Sequence, residues 1–360
     1  MMKLKASRSV EETVLSPEII SRRKLPVNFD QGDLELFRHV LEQVIPATTV
    51  RELRDVRVSA DGLLFKGGRI LAESFAFPSH MGLWKKRSIL KFFIDSYIFK
   101  SLRRFDAPAF WITDNWSEAY FHWVADALTR LFVVKDQLGD MVLLLPHQYK
   151  ALKFVQPSLK PFGIRNIEFL APDEVLACEK LIVPMQTAPS GHYNEEILRG
   201  LSDLLVGFYN PSHDSSSADR IYISRERAGK RRLENEKEVI HALQEFDFQI
   251  VYAEEHSFEQ QVKMASDSRY LVSNHGAGLT NMLFMRGGTS VLELRHKTDR
   301  INNCYFTMAS ALNLNYFYQT CEPENAGEDA HVANLHVDVE ELRKNLRLMI
   351  GAVARPSGRA

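Results

Sequence analysis

The sequence predicts an α/β protein of two Rossmann-like domains, and three observations carry that expectation. The chain has 360 residues, 45% apolar and 25% charged, a globular composition long enough for two cores of ordinary size. Short apolar runs bounded by breakers alternate with helix-period segments along both halves, the pattern of parallel strands joined by crossover helices. Between the halves, Asn210 to Asp219 is polar and Ser-rich, the composition of a solvated connector. The expected division is a first domain at 1–210, a second at 211–335, and a terminal helix and tail at 336–360 that packs back on the first domain.

The elements follow in order. Residues 1–23 mix charges with scattered apolar side chains and lack the continuous apolar run of a secretory signal. No stretch of about 18 uncharged apolar residues could cross a bilayer, so a cytoplasmic location is expected. Arg51 to Leu71 reads as short strands with turns at Asp61-Gly62 and Gly67-Gly68. Trp84 to Phe105 sets basic residues among Phe92, Phe93, Ile94, Ile98 and Phe99. It reads as an amphipathic helix, packed on one face or lying peripherally on an anionic membrane at 84–105. A strand at 109–113, a helix from Ser117 to Leu131, strands at 141–145, 167–170 and 180–183, and a helix at 195–208 complete the first half.

The second half is more regular: strand 220–224, helix 236–246, strand 249–252, helix 258–265, strand 270–273, a helix from Gly278, and strand 290–294. In such a series ligands bind beyond the carboxyl ends of the strands. Arg225, the turn His275-Gly276-Ala277-Gly278, Asn281 one turn into the next helix, and Glu293 fall at these ends. The glycines allow close backbone approach, and the helix N-terminus suits a diphosphate. Arg225 can clamp the same phosphates, and Glu293 can accept from ribose hydroxyls. Arg232 and Asn235 reach the site if their loop folds over it, and Asn235 is otherwise a helix cap. His275 either donates to a phosphate oxygen or packs beneath the turn. Each residue also has a plain structural role available: a tight turn, an ion pair with Arg295, a solvated charge.

The segments 221–225, 232–236, 257–261, 275–284 and 291–294, in this order and spacing, resemble glycosyltransferase family 61. Tyr120-Phe121-His122-Trp123, followed by Asp126 and Arg130-Leu131, is similar to the family's upstream signature, with Thr129 standing where the family often has Pro. The resemblance implies an inverting transferase of GT-B type, two Rossmann-like domains facing a cleft. It places a nucleotide-sugar donor on the C-terminal domain and a glycan or lipid-linked glycan acceptor on the other. It also implies a role in capsular or lipopolysaccharide synthesis.

An inverting reaction needs a base for the acceptor hydroxyl. On a helix His122 and Asp126 share one face, so either Asp126 is the base or it orients His122, and a merely structural pair remains the alternative. Glu118 is a further candidate. No Asp-x-Asp occurs, so a metal-independent reaction without a cofactor is expected, with charge balanced by arginines. A formal net charge of −1 and a pI near 6.9 exclude a general attraction to nucleic acid. Cys178, Cys304 and Cys321 lack metal-ligand spacing. A nucleotide- or glycan-binding scaffold without turnover is the alternative function. A dinucleotide oxidoreductase is disfavoured because neither first strand is followed by Gly-x-Gly-x-x-Gly.

Overall fold

A computed structural model of the chain describes residues 11–77, 86–210, 218–325 and 327–353. The chain groups into two compact units, Met1–Ile19 with Ile45–Ser190, and Ile20–Val44 with Gly191–Ala360. Residues 20–44 and 191–210 therefore group with the C-terminal part, whereas the sequence reading assigned 1–210 to the N-terminal side. The Ser-rich part of the expected connector, 211–217, lies outside the described residues.

In the first unit the strands Asn166–Leu170, Val142–Pro146, Ala109–Phe110 and Glu174–Pro184 lie side by side and parallel. The sheet then changes sense. Thr48–Ser59 runs antiparallel to Glu174–Pro184, and Leu64–Lys66 and Arg69–Ile70 continue the antiparallel part. The turns between them carry Gly62, Gly67 and Gly68 at φ of 82°, 55° and 71°, a left-handed backbone that glycine adopts without strain. The sheet is thus mixed, where a Rossmann-like parallel sheet was expected. The hairpin segment contributes a long strand against the middle of the sheet, so that Val56 and Val58 share a core with Leu176, Cys178 and Leu181.

Of the expected amphipathic helix, Trp84 and Lys85 lie outside the described residues. The helix Lys86–Ile94 ends in a π-helical turn, Asp95–Phe99, and Ser101–Phe105 is a strand parallel to Glu174–Pro184. The strand forms because Arg103 pairs with Glu168 and Glu174 while Phe105 is buried. The next helix starts at Tyr120 instead of Ser117, since the Ser117 hydroxyl is held by Asp114 and keeps 114–117 as a turn. It runs through a π turn at Trp123–Ala127 into Leu128–Phe132. Thr129 sits inside it, its hydroxyl donating to the Asp126 carbonyl at 2.7 Å.

The second unit has five parallel strands, Arg220–Ile223, Gln249–Val251, Tyr270–Asn274, Ser290–His296 and Asn315–Pro323, in spatial order 2-1-3-4-5. A short antiparallel strand, Leu335–His336, closes the row. Helices Glu236–Gln244 and Phe258–Asp267 are crossovers, the latter started by a capping box of Ser257 and Gln260. The helix Val339–Val353 packs on this same sheet, not on the first domain as expected. Its stripe of Leu342, Leu346 and Met349 is wholly buried in a core with Leu292, Leu294 and Phe317, the apolar face this unit's own sheet presents. Residues 20–44 are held in the unit by Val27 N–H donating to Tyr316 O at 2.9 Å and by Phe37, buried edge-on against Phe306 and Tyr318. Among the described residues no helix is long and apolar enough to cross a membrane.

Candidate functional site

In a 2-1-3-4-5 sheet the first and third strands are neighbours whose crossovers leave in opposite directions, so a crevice opens at their carboxyl ends. Here those strands are Arg220–Ile223 and Tyr270–Asn274. Two residues beyond each lie Arg225 and Gly276, and the structure brings them together. A Cβ on Gly276 would stand 2.5 Å from Arg225 Cζ and 2.8 Å from its Nε, and closer still to Nη1. Gly276 has φ 162°, extended backbone open to any residue, so the requirement for glycine is space. A Cβ on Gly278 would lie 2.7 Å from Ile223 Cγ2, which packs the turn onto the first strand. Ala277 then begins a 3-10 helix, Ala277–Phe284, whose start no side chain caps.

A second arginine belongs to this crevice and escaped the sequence reading. Arg231 holds φ 56°, a left-handed conformation uncommon outside glycine, and Asn274 Nδ2 donates to its carbonyl at 2.5 Å, tying its loop to the third strand. Burial, and after it the neighbouring Arg231 charge, push the Arg225 guanidinium below its ordinary pKa. The Nε atoms of both arginines are buried without a hydrogen-bond partner. Among the described residues neither has a carboxylate at ion-pair distance. Two half-buried cations side by side are costly unless an anion joins them. Arg232, the residue the motif suggested, is exposed; its backbone pairs with Asn334 and Leu335. Adjacent arginines are the only trace of this in sequence, and which of the two turns inward depends on the left-handed bend.

His275 accounts for the next feature. Its Nδ1 lies 2.5 Å from Glu293 Oε1, and the Tyr316 hydroxyl donates to Glu293 Oε2 at 2.5 Å. Glu293 is fully buried, so both its oxygens are spent inside the protein and it does not face a ligand hydroxyl as expected. The reason is strand length: Ser290–His296 runs two residues past the expected end and carries Glu293 into the sheet. Burial acts to raise the Glu293 pKa, but His275, Arg295 and Tyr316 together hold it below the ordinary carboxylate value. Engaging Nδ1 leaves Nε2 as the imidazole's free end.

Two other expected residues are structural. Asn281 is buried and donates to Gln261 Oε1 at 3.0 Å, because the whole 279–284 stretch is core. Asn235 donates to Val337 O and accepts from Val337 N–H, pinning the segment before the last helix without capping its own. Beside it Glu236, read in sequence only as a helix residue, is 6% exposed. Its Oε1 accepts from Ser224 Oγ at 2.6 Å and Tyr222 OH at 2.8 Å, while Oε2 is buried with no partner.

The first unit holds its own cluster. His122 Nδ1 lies 2.8 Å from Asp126 Oδ2, and Ser190 Oγ donates to the same oxygen at 2.8 Å. Burial pushes the Asp126 carboxyl up, against the pull of His122 and Ser190. The more open partner is His122, whose side chain is 20% exposed against 9% for Asp126. Asp126 holds Nδ1 and leaves Nε2 as the free nitrogen of the His122 ring. Ser190 was not singled out in sequence, since nothing local joins it to residue 126. Glu118 lies before the helix, exposed and accepting from Gln148. Among the described residues no three His, Cys, Asp or Glu side chains gather as a metal site. A cavity of about 350 Å³ between Val50, Phe110, Val134, Lys180 and Ile182 touches none of these residues.

The second unit is therefore a parallel α/β unit whose switch point carries two arginines without an ion-pair partner among the described residues, a glycine turn and a carboxylate-held histidine. Residues 120–292, which span both clusters as far as Leu292, match the family model Glycosyltransferase 61. Over 100 residues the chain is 34% identical to Protein O-linked-mannose beta-1,4-N-acetylglucosaminyltransferase 2 of Xenopus tropicalis and to that of Xenopus laevis. The match covers 27% of this chain and 17% of each relative, so the chain spans under a fifth of their length.

Proposed function

We propose that the chain is an inverting, metal-independent glycosyltransferase that moves a sugar from a nucleotide-sugar donor to a glycan or lipid-linked glycan. The observation that carries this reading is Arg225 packed on the Gly276 turn at the switch point with the Arg231 charge beside it, neither paired with a carboxylate among the described residues. Their charges, with the N–H groups at the start of Ala277–Phe284, suit the diphosphate that leaves. His275, with Nδ1–H held by the Glu293 carboxylate, donates from Nε2 to a phosphate oxygen when its ring carries both protons. Glu236 Oε2 takes the ribose hydroxyl in the place first assigned to Glu293. His122 Nε2 removes the proton of the acceptor hydroxyl as its oxygen bonds to the anomeric carbon; the bond to the diphosphate breaks, and the electron pair leaves with it. Donor held by the C-terminal unit and acceptor activated by the N-terminal one is the division of labour of GT-B transferases.

We place the activity in the synthesis of capsule or lipopolysaccharide on the cytoplasmic side, following the family resemblance. The names of the frog relatives favour a second acceptor, a mannose-bearing glycan receiving N-acetylglucosamine. Thermal shift with UDP, GDP, CDP and ADP, on wild type and Arg225→Ala, tests the donor site. Stabilisation by one nucleotide that the variant loses supports it. No shift with any of them sinks the transferase reading and leaves the scaffold.

A further inference from the structure

The helix Lys86–Ile94 and its π turn expose a face that no described part of the chain covers. One side packs: Phe92 is buried, and Phe92, Phe93 and Tyr97 meet Phe65 edge-on at 5.3, 5.9 and 5.8 Å. On the other, Leu90, Ile94, Ile98 and Phe99 are 61%, 39%, 70% and 74% exposed, and Leu102 on the following strand is 52% exposed. Leu90, Ile94 and Ile98 recur every four residues and so project from one side. Scattered exposed apolar residues need no explanation, but five large ones on one short segment do.

The charge around this face is as lopsided as its polarity. Residues 86–105 carry six cations (Lys86, Arg87, Lys91, Lys100, Arg103 and Arg104) and one anion, Asp95, in a chain whose net charge is −1. Lys100 is bound to Asp61, and Arg103 to Glu168 and Glu174. Lys91 and Arg104 are exposed, and among the described residues neither forms an ion pair. An apolar stripe bordered by free cations matches one surface chemistry: acyl chains beneath anionic headgroups. A second copy of the chain is a poorer occupant, because self-docking would set these like charges against each other.

We propose that the Leu90–Leu102 face docks on an anionic bilayer surface, with Ile98 and Phe99 entering the headgroup boundary and Lys91 and Arg104 facing the lipid charge. The proposal rests on exposure and charge alone and stands apart from the nucleotide reading.

Co-sedimentation of the full chain with phosphatidylcholine vesicles, with and without phosphatidylglycerol, tests it. The protein is expected to pellet only with the anionic vesicles and to be released by added salt. Ile98→Glu with Phe99→Glu should weaken the partition by at least about tenfold, since each side chain loses its buried area and gains repulsion. Both positions are open to solvent, so the circular dichroism and melting temperature of the variant should match wild type. If the variant misfolds, the salt series on wild type decides alone. Failure to pellet with anionic vesicles, salt-independent pelleting, or a dimer by light scattering that Ile98→Glu dissolves would each overturn the proposal.

Discussion

Arg225 rests on the backbone of Gly276, so close that no side chain fits between the guanidinium and the turn. The two are distant in sequence and meet only because the first and third strands are neighbours. Gly276→Ala therefore should not strain the backbone, which is extended, but must displace the arginine. Nucleoside diphosphate affinity is expected to fall about tenfold or more, the scale of a charge-assisted hydrogen bond at ~1.5–3 kcal/mol. Calorimetry with the preferred nucleotide reads this; unchanged affinity would separate Arg225 from the binding site.

Arg225→Ala and Arg231→Ala should each weaken binding on the same scale while leaving the melting temperature level or higher. The direction follows from burial: each substitution removes a half-buried cation that has no carboxylate in the free protein. A large loss of stability in either variant would show that the charge is satisfied within the fold.

Glu236→Gln keeps the shape and the bonds to Tyr222 and Ser224 within reach but removes the carboxylate charge. It should lower affinity for a nucleoside diphosphate and leave affinity for inorganic pyrophosphate unchanged, as pyrophosphate has no ribose. Equal loss for both ligands counts against the ribose role.

His122→Ala should lower kcat by about 10²–10⁴-fold, the usual range for a general base. Asp126→Asn and Ser190→Ala act through the histidine, so smaller losses are expected, with the pH–rate profile displaced. If Asp126→Asn is the more damaging change and the profile is unmoved, the base is Asp126.

Stability should fall in acid partly through Glu293. Its folded pKa lies below the ordinary carboxylate value, so the folded state binds this proton less readily than the unfolded state. The contribution is complete above about pH 4.5 and is lost as pH falls towards the folded value. Urea denaturation of Glu293→Gln should show a shallower decline below that pH than wild type. Parallel curves would mean that His275 and Tyr316 hold the residue neutral.

The second half was largely legible in sequence because its strands and crossover helices are local, and each apolar run is closed by its own breaker. The turn 275–278 and Arg225 were visible for the same reason: strand ends can be read from the strands. Glu293 was misread because a two-residue error in a strand's end decides whether a carboxylate faces solvent or core. Asn281 reads in sequence as a site residue one turn into the helix, yet the 3-10 helix carrying it is buried nearly throughout. Arg231, Glu236 and Ser190 were missed because their roles come from contacts across the fold, with Asn274, Tyr222 and Asp126, which no spacing records. The mixed sheet of the first unit was hidden likewise, since a hairpin signal does not say which distant strand it will flank.

Residues 20–44 complete the C-terminal unit, with Phe37 beneath the Arg295 guanidinium at 5.2 Å and Val27 bonded to the last long parallel strand. A ribosome delivers this segment long before the strands it leans on, so the piece made first finds its place last. The unit's assembly is then a long-range closure, slow relative to its local strand–helix pairs. A fragment starting at residue 191 would present the bare flank of Arg295 and Phe306 to water, and the two units cannot be parted by one cut. Joining residues 20–44 back to such a fragment through a linker is the way to obtain the C-terminal unit alone.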